Sequence, residues 1–417
     1  MSKFDKDLGV IGLGYVGLPL VVESCNSGLK VLGYDNNSEK VNNLQKGASP
    51  IEDISDESLK EALEKDLIIS DSPEGLKDCE HVVISVPTPL TDYQPDLSYV
   101  KAAAQTIAKN ISKEQIIILE STTYPGTTIE VLIPEIESIT ELKAGKDFYV
   151  GYSPERIDPG NETWNFKNTP KVVSGIDEIS AKKVEDFYEK IIDKVVLVSG
   201  TKEAEMVKLL ENTYRHVNIA FINELAILCN MLEIDIWEVV DAAKTKPFGF
   251  ESFRPGPGVG GHCIPIDPNY LSFKTREIGK PVRFVELAQE INNTMPSYIV
   301  SRILEMMNSL QKPMNNSNIL ILGVAYKKDI SDTRESPAIN IIQNLDSKGV
   351  NVSYYDPFVD SLNAPVEKEE DLKNFNKYDL ILFHTAHTEF SKINFAEIDV
   401  PIFDATGTEY VTNSERI

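Results

Sequence analysis

Residues 7–35 read DLGVIGLGYVGLPLVVESCNSGLKVLGYD, and their pattern decides the fold. Asp7–Gly12 is a short apolar run suited to a strand buried on both faces, and Leu29–Tyr34 is a second, ending at Asp35. Between them Gly12-Leu13-Gly14-Tyr15-Val16-Gly17 opens an apolar helix that runs to about Ser27. Glycines at this spacing are weak evidence alone. Set between a strand and a helix, with an acid 18 positions after Gly17, they read as a dinucleotide-binding turn. Gly12 permits the tight turn, Gly14 lets a pyrophosphate approach, and Gly17 lets the helix pack on the strand. The helix N-terminus then faces the phosphates. Gly12, Gly14, Tyr15, Val16, Gly17 and Asp35 are the expected cofactor contacts. Asp35 suits a ribose 2′-hydroxyl and repels a 2′-phosphate, and no arginine stands beside it in Asn36-Asn37, so NAD is favoured over NADP.

Buried strands recur outward from this unit at 66–70 (DLIIS), 81–86 (HVVISV) and 115–121 (QIIILES), separated by helical segments. That alternation predicts an α/β fold with a doubly wound parallel sheet, whose strand ends carry the ligand groups. Pro87 and Thr88 stand at one such end, and Thr123 stands at another within Ser121–Gly126. A strand at 148–152 leads into Ser153–Gly160, where Glu155 and Arg156 are adjacent, so their side chains diverge in an extended segment. One is suited to orienting a water and the other to meeting an anion. The alternative is a surface charge pair. Strands near 171–174 and 195–198 complete a first domain, residues 1–200.

From Thr201 to about Leu232 the pattern turns helical. Met206, Leu209, Leu210, Val217, Phe221, Leu225 and Leu228 supply apolar positions, and Lys208, Asn212 and Arg215 form one polar stripe. The stripe is either a solvated face or the lining of a cleft, and the helix either a spine or a dimer interface. A central domain, 201–312, contains this helix and a second helical stretch near 282–308. After the polar linker 311–318, a second strand–turn–helix begins a Rossmann-like domain, 313–417, in which Gly323 alone remains of the glycine fingerprint. The architecture expected is therefore two Rossmann-like doubly wound domains joined by a long central helix. Between strand and helix of the second unit, Lys327–Glu335 concentrates cations at the edge where ligands bind.

The stretch Pro255–Tyr270, PGPGVGGHCIPIDPNY, forbids regular helix or central strand over its first half and suits a loop lying close to a ligand. Cys263 lies within it, and Asp267 follows four residues later. A thiolate near a base is a strong nucleophile, whereas the plainer reading is an inert cysteine in a tight turn.

Composition bounds the partners. Acidic residues outnumber basic ones, 65 to 41, for a net charge of −24, so no basic field draws nucleic acid or an anionic membrane. The charged start MSKFDKDLGV does not read as a signal peptide, and no apolar run reaches membrane-span length. Cys25, Cys79, Cys229 and Cys263 lack CxxC or metal-ligand spacing, which predicts reduced thiols, no metal and a cytoplasmic protein.

Six segments, in order, resemble the UDP-glucose/GDP-mannose dehydrogenase family across nearly the whole chain. They are GLGYVGLPL, STTYPGTT, SPERIDPG, the Lys208/Asn212 helix, PGPGVGGHCIPIDP and AYKKDISDTRESPA. The resemblance implies an NAD-binding domain, a dimer-forming central helix and a C-terminal UDP-sugar-binding domain. It implies oxidation of a sugar C6 alcohol to a carboxylate by two hydride transfers. Cys263 matches the family's nucleophile and Lys208 the lysine that stabilises oxyanion charge. Asp267 and a water held by Thr123 match the proton-handling groups, Glu155 the residue of thioester hydrolysis, and Asn212 a residue orienting substrate and water. Lys327 matches a substrate-binding lysine and Arg334 a cofactor-binding arginine. Arg156, Arg254 and Gly260 are further expected substrate contacts.

GGHCIPIDP departs from the UDP-glucose form, with His262 and Ile266 where that branch has serine and lysine. It is similar to the branch acting on N-acetylated UDP-hexosamines, and SPERIDPGN and TPKVVSG fit the UDP-N-acetylglucosamine 6-dehydrogenases within it. UDP-N-acetylmannosamine, UDP-N-acetylgalactosamine and UDP-glucose are the alternatives. A single-step β-hydroxyacid dehydrogenase and a non-catalytic NAD- or nucleotide-sugar-binding protein are the other classes weighed.

Overall fold

The computed structural model describes residues 3–51, 54–91, 94–158, 161, 163–261, 264–411 and 414–417. His262 and Cys263 lie outside them. The chain divides into two compact units, residues 1–211 with 269–279, and residues 212–268 with 280–417.

In the first unit, strands β1 (Lys6–Ile11), β2 (Val31–Tyr34), β3 (Leu67–Ser70), β4 (Cys79–Ile84), β5 (Ile116–Leu119), β6 (Tyr149–Tyr152), β7 (Lys171–Gly175) and β8 (Val195–Leu197) form one sheet. Among the described residues its order is β8-β7-β6-β5-β4-β1-β2-β3. The run of β5, Ile-Ile-Ile-Leu, is buried throughout, as a strand covered on both faces requires. Parallel pairing sets Leu8 opposite Val31 on one side and His81 on the other. The order therefore reverses at β1, where the β1 and β4 carboxyl ends open the crevice that binds ligands in such sheets. Each fully buried Val, Ile or Leu of this core contributes about 1.5–3 kcal/mol relative to exposure.

One pairing departs from the expected parallel sheet. β7 runs antiparallel to β6, with Gly151 opposite Gly175 and Tyr152 opposite Ser174. The start of β7 consequently lies at the same sheet edge as the end of β6, which places Lys171 beside the loop that follows β6.

In the second unit, β9 (Asn318–Leu322), β10 (Asn351–Tyr355), β11 (Glu367–Lys368), β12 (Leu380–Phe383), β13 (Ile402–Asp404) and β14 (Glu415–Arg416) form a parallel sheet ordered β11-β10-β9-β12-β13-β14. Ile321, Ile341, Ile342 and Leu345 pack there with Ile299 and Ile303 of helix Arg283–Ser309 and with Trp237. Asp356, just past β10, accepts from the Val324 and Ala325 N–H groups at 2.7 and 3.1 Å. It repeats the place of Asp35 in the first unit, whose carboxylate accepts from Leu13 N–H at 3.0 Å.

Helix Thr201–Met231 is 31 residues long, and its residues fall in both units. Its stripe resolves into two behaviours, since Lys208 and Asn212 are buried while Arg215 is exposed. Its apolar residues divide as well. Leu209, Ile222 and Ala226 are buried, whereas Met206, Leu210, Tyr214, Phe221 and Leu228 are exposed.

Candidate active site

The turn after β1 assigns each glycine a different job. Gly12 has φ +94°, and a Cβ there would stand 2.3 Å from Ser85 O, so the turn is pressed against the end of β4. At Gly17 a Cβ would stand 1.9 Å from Gly12 O. That contact lets helix Gly17–Asn26 start directly behind the strand. Among the described residues, a Cβ at Gly14 would meet nothing within 4 Å. Gly14 thus leaves that side of the turn open, as the approach of a pyrophosphate would require, and Tyr15 and Val16 beside it are half-buried.

Asp35 is buried, and its two oxygens accept from Leu13 N–H, from Asn37 N–H at 3.0 Å, and from Lys40 Nζ at 2.8 Å. Burial pushes its carboxyl up, but the Lys40 ammonium and the two N–H donors prevail and hold it below the ordinary carboxylate range. A carboxylate that stays ionised and retains lone pairs fits a ribose diol. With the open face at Gly14, these residues fit NAD.

Two loops close the edge beside this turn. Val86 N–H donates to Ser121 Oγ at 2.9 Å and that hydroxyl donates back to Val86 O at 2.8 Å, so the ends of β4 and β5 are stapled together. Pro87 is exposed, whereas Thr88 is buried and its carbonyl accepts from Tyr270 Oη at 3.0 Å. Thr123 is wholly buried, and its Oγ1 has no hydrogen-bond partner among the described residues. A buried hydroxyl of that kind can bond a water or a ligand oxygen. The next turn is fastened by Glu205, whose carboxylate accepts from Gly126 N–H, Thr128 N–H and Thr128 Oγ1 at 2.5–2.8 Å. Burial pushes the Glu205 carboxyl up to about 7 against those three donors.

Glu155 belongs to a buried charge cluster rather than to a surface pair. Its Oε1 accepts from Arg156 N–H and Ile157 N–H at 2.7 and 2.8 Å, and its Oε2 accepts from Lys171 Nζ at 2.8 Å. Lys171 also meets Glu120 at 2.8 Å, and Tyr188 Oη donates to Glu120. Burial pushes the Glu120 carboxyl up, more strongly than Lys171 pulls it down. Burial acts on Glu155 in the same sense, but there Lys171 and the two N–H groups win and keep it ionised. The Glu155 carbonyl accepts from Lys208 Nζ at 2.6 Å. Arg156 donates to the Glu211 carboxylate and, at 2.8 Å, to Pro170 O.

In the second unit, the glycine-rich loop is gripped at both ends of its described part. Gly256 N–H donates to Asn223 Oδ1 at 2.9 Å, and Gly261 N–H donates to Arg334 O at 2.9 Å. Gly260 and Gly261 lie against Tyr326, where added Cβ atoms would come within 2.6 and 2.8 Å of its side chain. Asp267 is buried and accepts from Asn212 Nδ2. It starts helix Asp267–Glu277, so the irregular stretch is shorter than the expected 255–270. Arg334 is exposed and paired with Asp332 at 2.6 Å, and Lys327 is half-buried. Arg254 pairs with Asp241 at 2.7 Å and lies over the Trp237 ring. The loop bearing Lys327 and Arg334 is anchored through Asp329, whose N–H donates to His387 Nδ1 at 2.9 Å, leaving Nε2 to donate to Asp356.

Glu120, Lys171, Glu205 and His387 escaped the reading of the sequence. The one available signal was polarity at odds with context, a glutamate ending a run of Ile and Leu and a lysine opening a run of Val.

Family models match three consecutive stretches. They are the UDP-glucose/GDP-mannose dehydrogenase family's NAD binding domain over residues 6–192, its central domain over 202–294, and its UDP binding domain over 320–407. The chain is 36% identical to a UDP-N-acetyl-D-glucosamine 6-dehydrogenase of Pseudomonas aeruginosa, covering 94% of this chain and 93% of that one. It is 35% identical to the protein CapL of Staphylococcus aureus, over 99% and 98% of the two chains. Among solved structures, the UDP-D-ManNAc dehydrogenase of Pyrococcus horikoshii superposes with a TM-score of 0.88 at 32% identity, covering 98% and 97%.

Proposed function

The chain belongs to the UDP-glucose/GDP-mannose dehydrogenase family, and from that premise we propose that it oxidises the C6 alcohol of a UDP-N-acetylhexosamine, UDP-N-acetylglucosamine first, to the uronic acid for surface polysaccharide. The family and the NAD-binding domain make it an NAD-dependent UDP-sugar dehydrogenase. The choice of sugar rests on GGHCIPIDP and on relatives of similar identity that bear two different names, so UDP-N-acetylmannosamine is the close alternative.

NAD, which the Gly12–Gly17 turn and Asp35 would hold, would supply the hydride acceptor for each of two successive oxidations. In the first, the C6 hydroxyl loses its proton to Asp267 and the water at Thr123, giving an aldehyde. The Cys263 thiolate adds to that aldehyde as a thiohemiacetal, and the second oxidation leaves a thioester. Water cleaves the thioester with Glu155 at hand, releasing the carboxylate and restoring the thiol. Lys208 opposes the negative charge that gathers on the C6 oxygen. Asn212 orients substrate and water. Arg156, Arg254, Gly260 and Lys327 are assigned to the nucleotide sugar, and Arg334 to the cofactor. Residues 1–200, 201–312 and 313–417 are the corresponding cofactor, central and UDP-sugar domains. A homodimer through helix Thr201–Met231 accounts for its exposed Met206, Leu210, Phe221 and Leu228.

The observation that most supports this reading is the buried Thr123 hydroxyl, without a partner among the described residues, at the edge that also bears the cofactor turn. The test counts NADH per sugar at 340 nm across UDP-N-acetylglucosamine, UDP-N-acetylmannosamine, UDP-N-acetylgalactosamine and UDP-glucose. About two NADH per sugar, fastest with UDP-N-acetylglucosamine and abolished as acid formation in Cys263→Ser, is the expected result. One NADH per sugar, unchanged in Cys263→Ser, would point to a single-step dehydrogenase instead.

A further inference from the structure

The mechanism leaves Lys171 and Glu120 without work, although they lie almost wholly buried in a sheet whose neighbouring strands are apolar. Burying two carboxylates and an ammonium is costly, and hydrophobic residues of similar size often serve stability as well. The cluster's geometry indicates another use. Lys171 binds Glu155 Oε2 while the Arg156 and Ile157 N–H groups bind Oε1, so every oxygen of that carboxylate is held. These three bonds hold the Glu155 side chain against its own loop, and the Glu155 carbonyl accepts from Lys208 Nζ, 2.6 Å away. Lys171 is itself fixed from behind by Glu120, which Tyr188 Oη holds, and its ammonium lies 5.1 Å from the centre of the Tyr188 ring.

We propose that Lys171 is a positioning residue for Lys208, acting through the Glu155 carboxylate and carbonyl, with Glu120 and Tyr188 as its fixed backing. This inference rests on the functional reading above for the role of Lys208, and it extends that reading. The Glu155 cluster then bears on the first hydride transfer, and its influence is not confined to thioester hydrolysis. A carbonyl oxygen suits this task because it accepts from an ammonium without neutralising it, so Lys208 keeps its charge for the developing oxyanion.

The experiment is a double-mutant cycle read by single-turnover formation of the first NADH. Lys171→Met is made alone and in a Lys208→Met background, with NAD affinity measured on every protein. The expected result is that Lys171→Met slows the first hydride transfer on the order of 100-fold, the scale set by an ångström-sized misplacement, with NAD affinity within about two-fold of wild type. In the Lys208→Met background the same change costs less than about three-fold, because what it positions is already gone. Lys171→Arg, which keeps the charge, recovers much of the rate. Equal losses in both backgrounds would overturn the proposal. So would a normal first step followed by a stalled thioester, which would confine the cluster to hydrolysis. If Lys171→Met fails to bind NAD, Lys171→Arg takes its place in the cycle with a smaller expected loss and the same test of non-additivity. If wild type yields no NADH from any UDP-sugar, the functional reading fails instead. The linkage is then read from acylation of Lys208, which rises several-fold in Lys171→Met if the ammonium is released and stays at the wild-type rate if it is not.

Discussion

Gly14→Ala and Gly17→Ala differ by one methyl group placed three residues apart, yet the structure assigns them opposite consequences. At Gly17 the new Cβ would lie 1.9 Å from Gly12 O, a backbone atom that cannot rotate away. Reaching ordinary contact near 3.4 Å requires the helix start to move by about 1.5 Å relative to the turn, so the cost belongs at or above the upper end for overpacking, about 3 kcal/mol. For a unit of this size that lowers Tm by roughly 6–12 °C. At Gly14 no atom of the described residues lies within 4 Å of the new methyl, and φ is outside the left-handed region, so alanine is accepted without strain. Loss of chain entropy in the unfolded state should leave stability equal or up to about 1 kcal/mol higher. The methyl does, however, fill the face through which the pyrophosphate approaches, and NAD should bind at least ten-fold more weakly, or about 1.4 kcal/mol. Thermal unfolding without ligand and NAD titration by calorimetry measure both quantities on the same samples. If Gly14→Ala bound NAD like wild type, or lost as much stability as Gly17→Ala, the division of labour drawn here would be wrong.

Thr123→Val keeps shape and removes a buried hydroxyl that lacks a partner among the described residues. Its Tm should hold or rise, since an unsatisfied buried hydroxyl costs about 1–3 kcal/mol, while NADH formation falls at least ten-fold. A less stable variant with normal turnover would contradict the role proposed for Thr123 Oγ1. Glu205 supplies a pH signature. Its folded pKa, raised to about 7, means that its contribution is fully present below the unfolded value near 4.5 and is lost as pH rises through about 7. Glu205→Gln cannot ionise, so its Tm relative to wild type should climb between pH 5 and 8, by the equivalent of at most about 3 kcal/mol. A difference that stays flat across that range would show that burial does not govern this carboxyl.

Much of the first unit was legible because local pattern and function coincide there. The runs in β1, β2, β4 and β5 announce buried parallel strands, and the Gly12–Gly17 spacing with Asp35 announces the turn between them. Helix Thr201–Met231 was legible as a helix but not in its orientation. Lys208 and Asn212 look like any polar stripe, and Leu210 and Phe221 like any core residues, until burial reverses both impressions.

By itself, then, the sequence determined that this is an α/β chain with a dinucleotide turn, a second such unit lacking the glycine fingerprint, and a cysteine-bearing loop between them. These are features written in contiguous residues, where spacing alone fixes backbone conformation. Tertiary structure decided the charge cluster. Glu155 meets Lys171 across 16 positions and Lys208 across 53, and Gly126 meets Glu205 across 79. The Lys171 pairing depends on β7 running against β6, which brings the start of one strand to the end of the other. Periodicity records which face of a strand is buried. It carries no record of the strand's direction, and direction is what placed Lys171 between two glutamates.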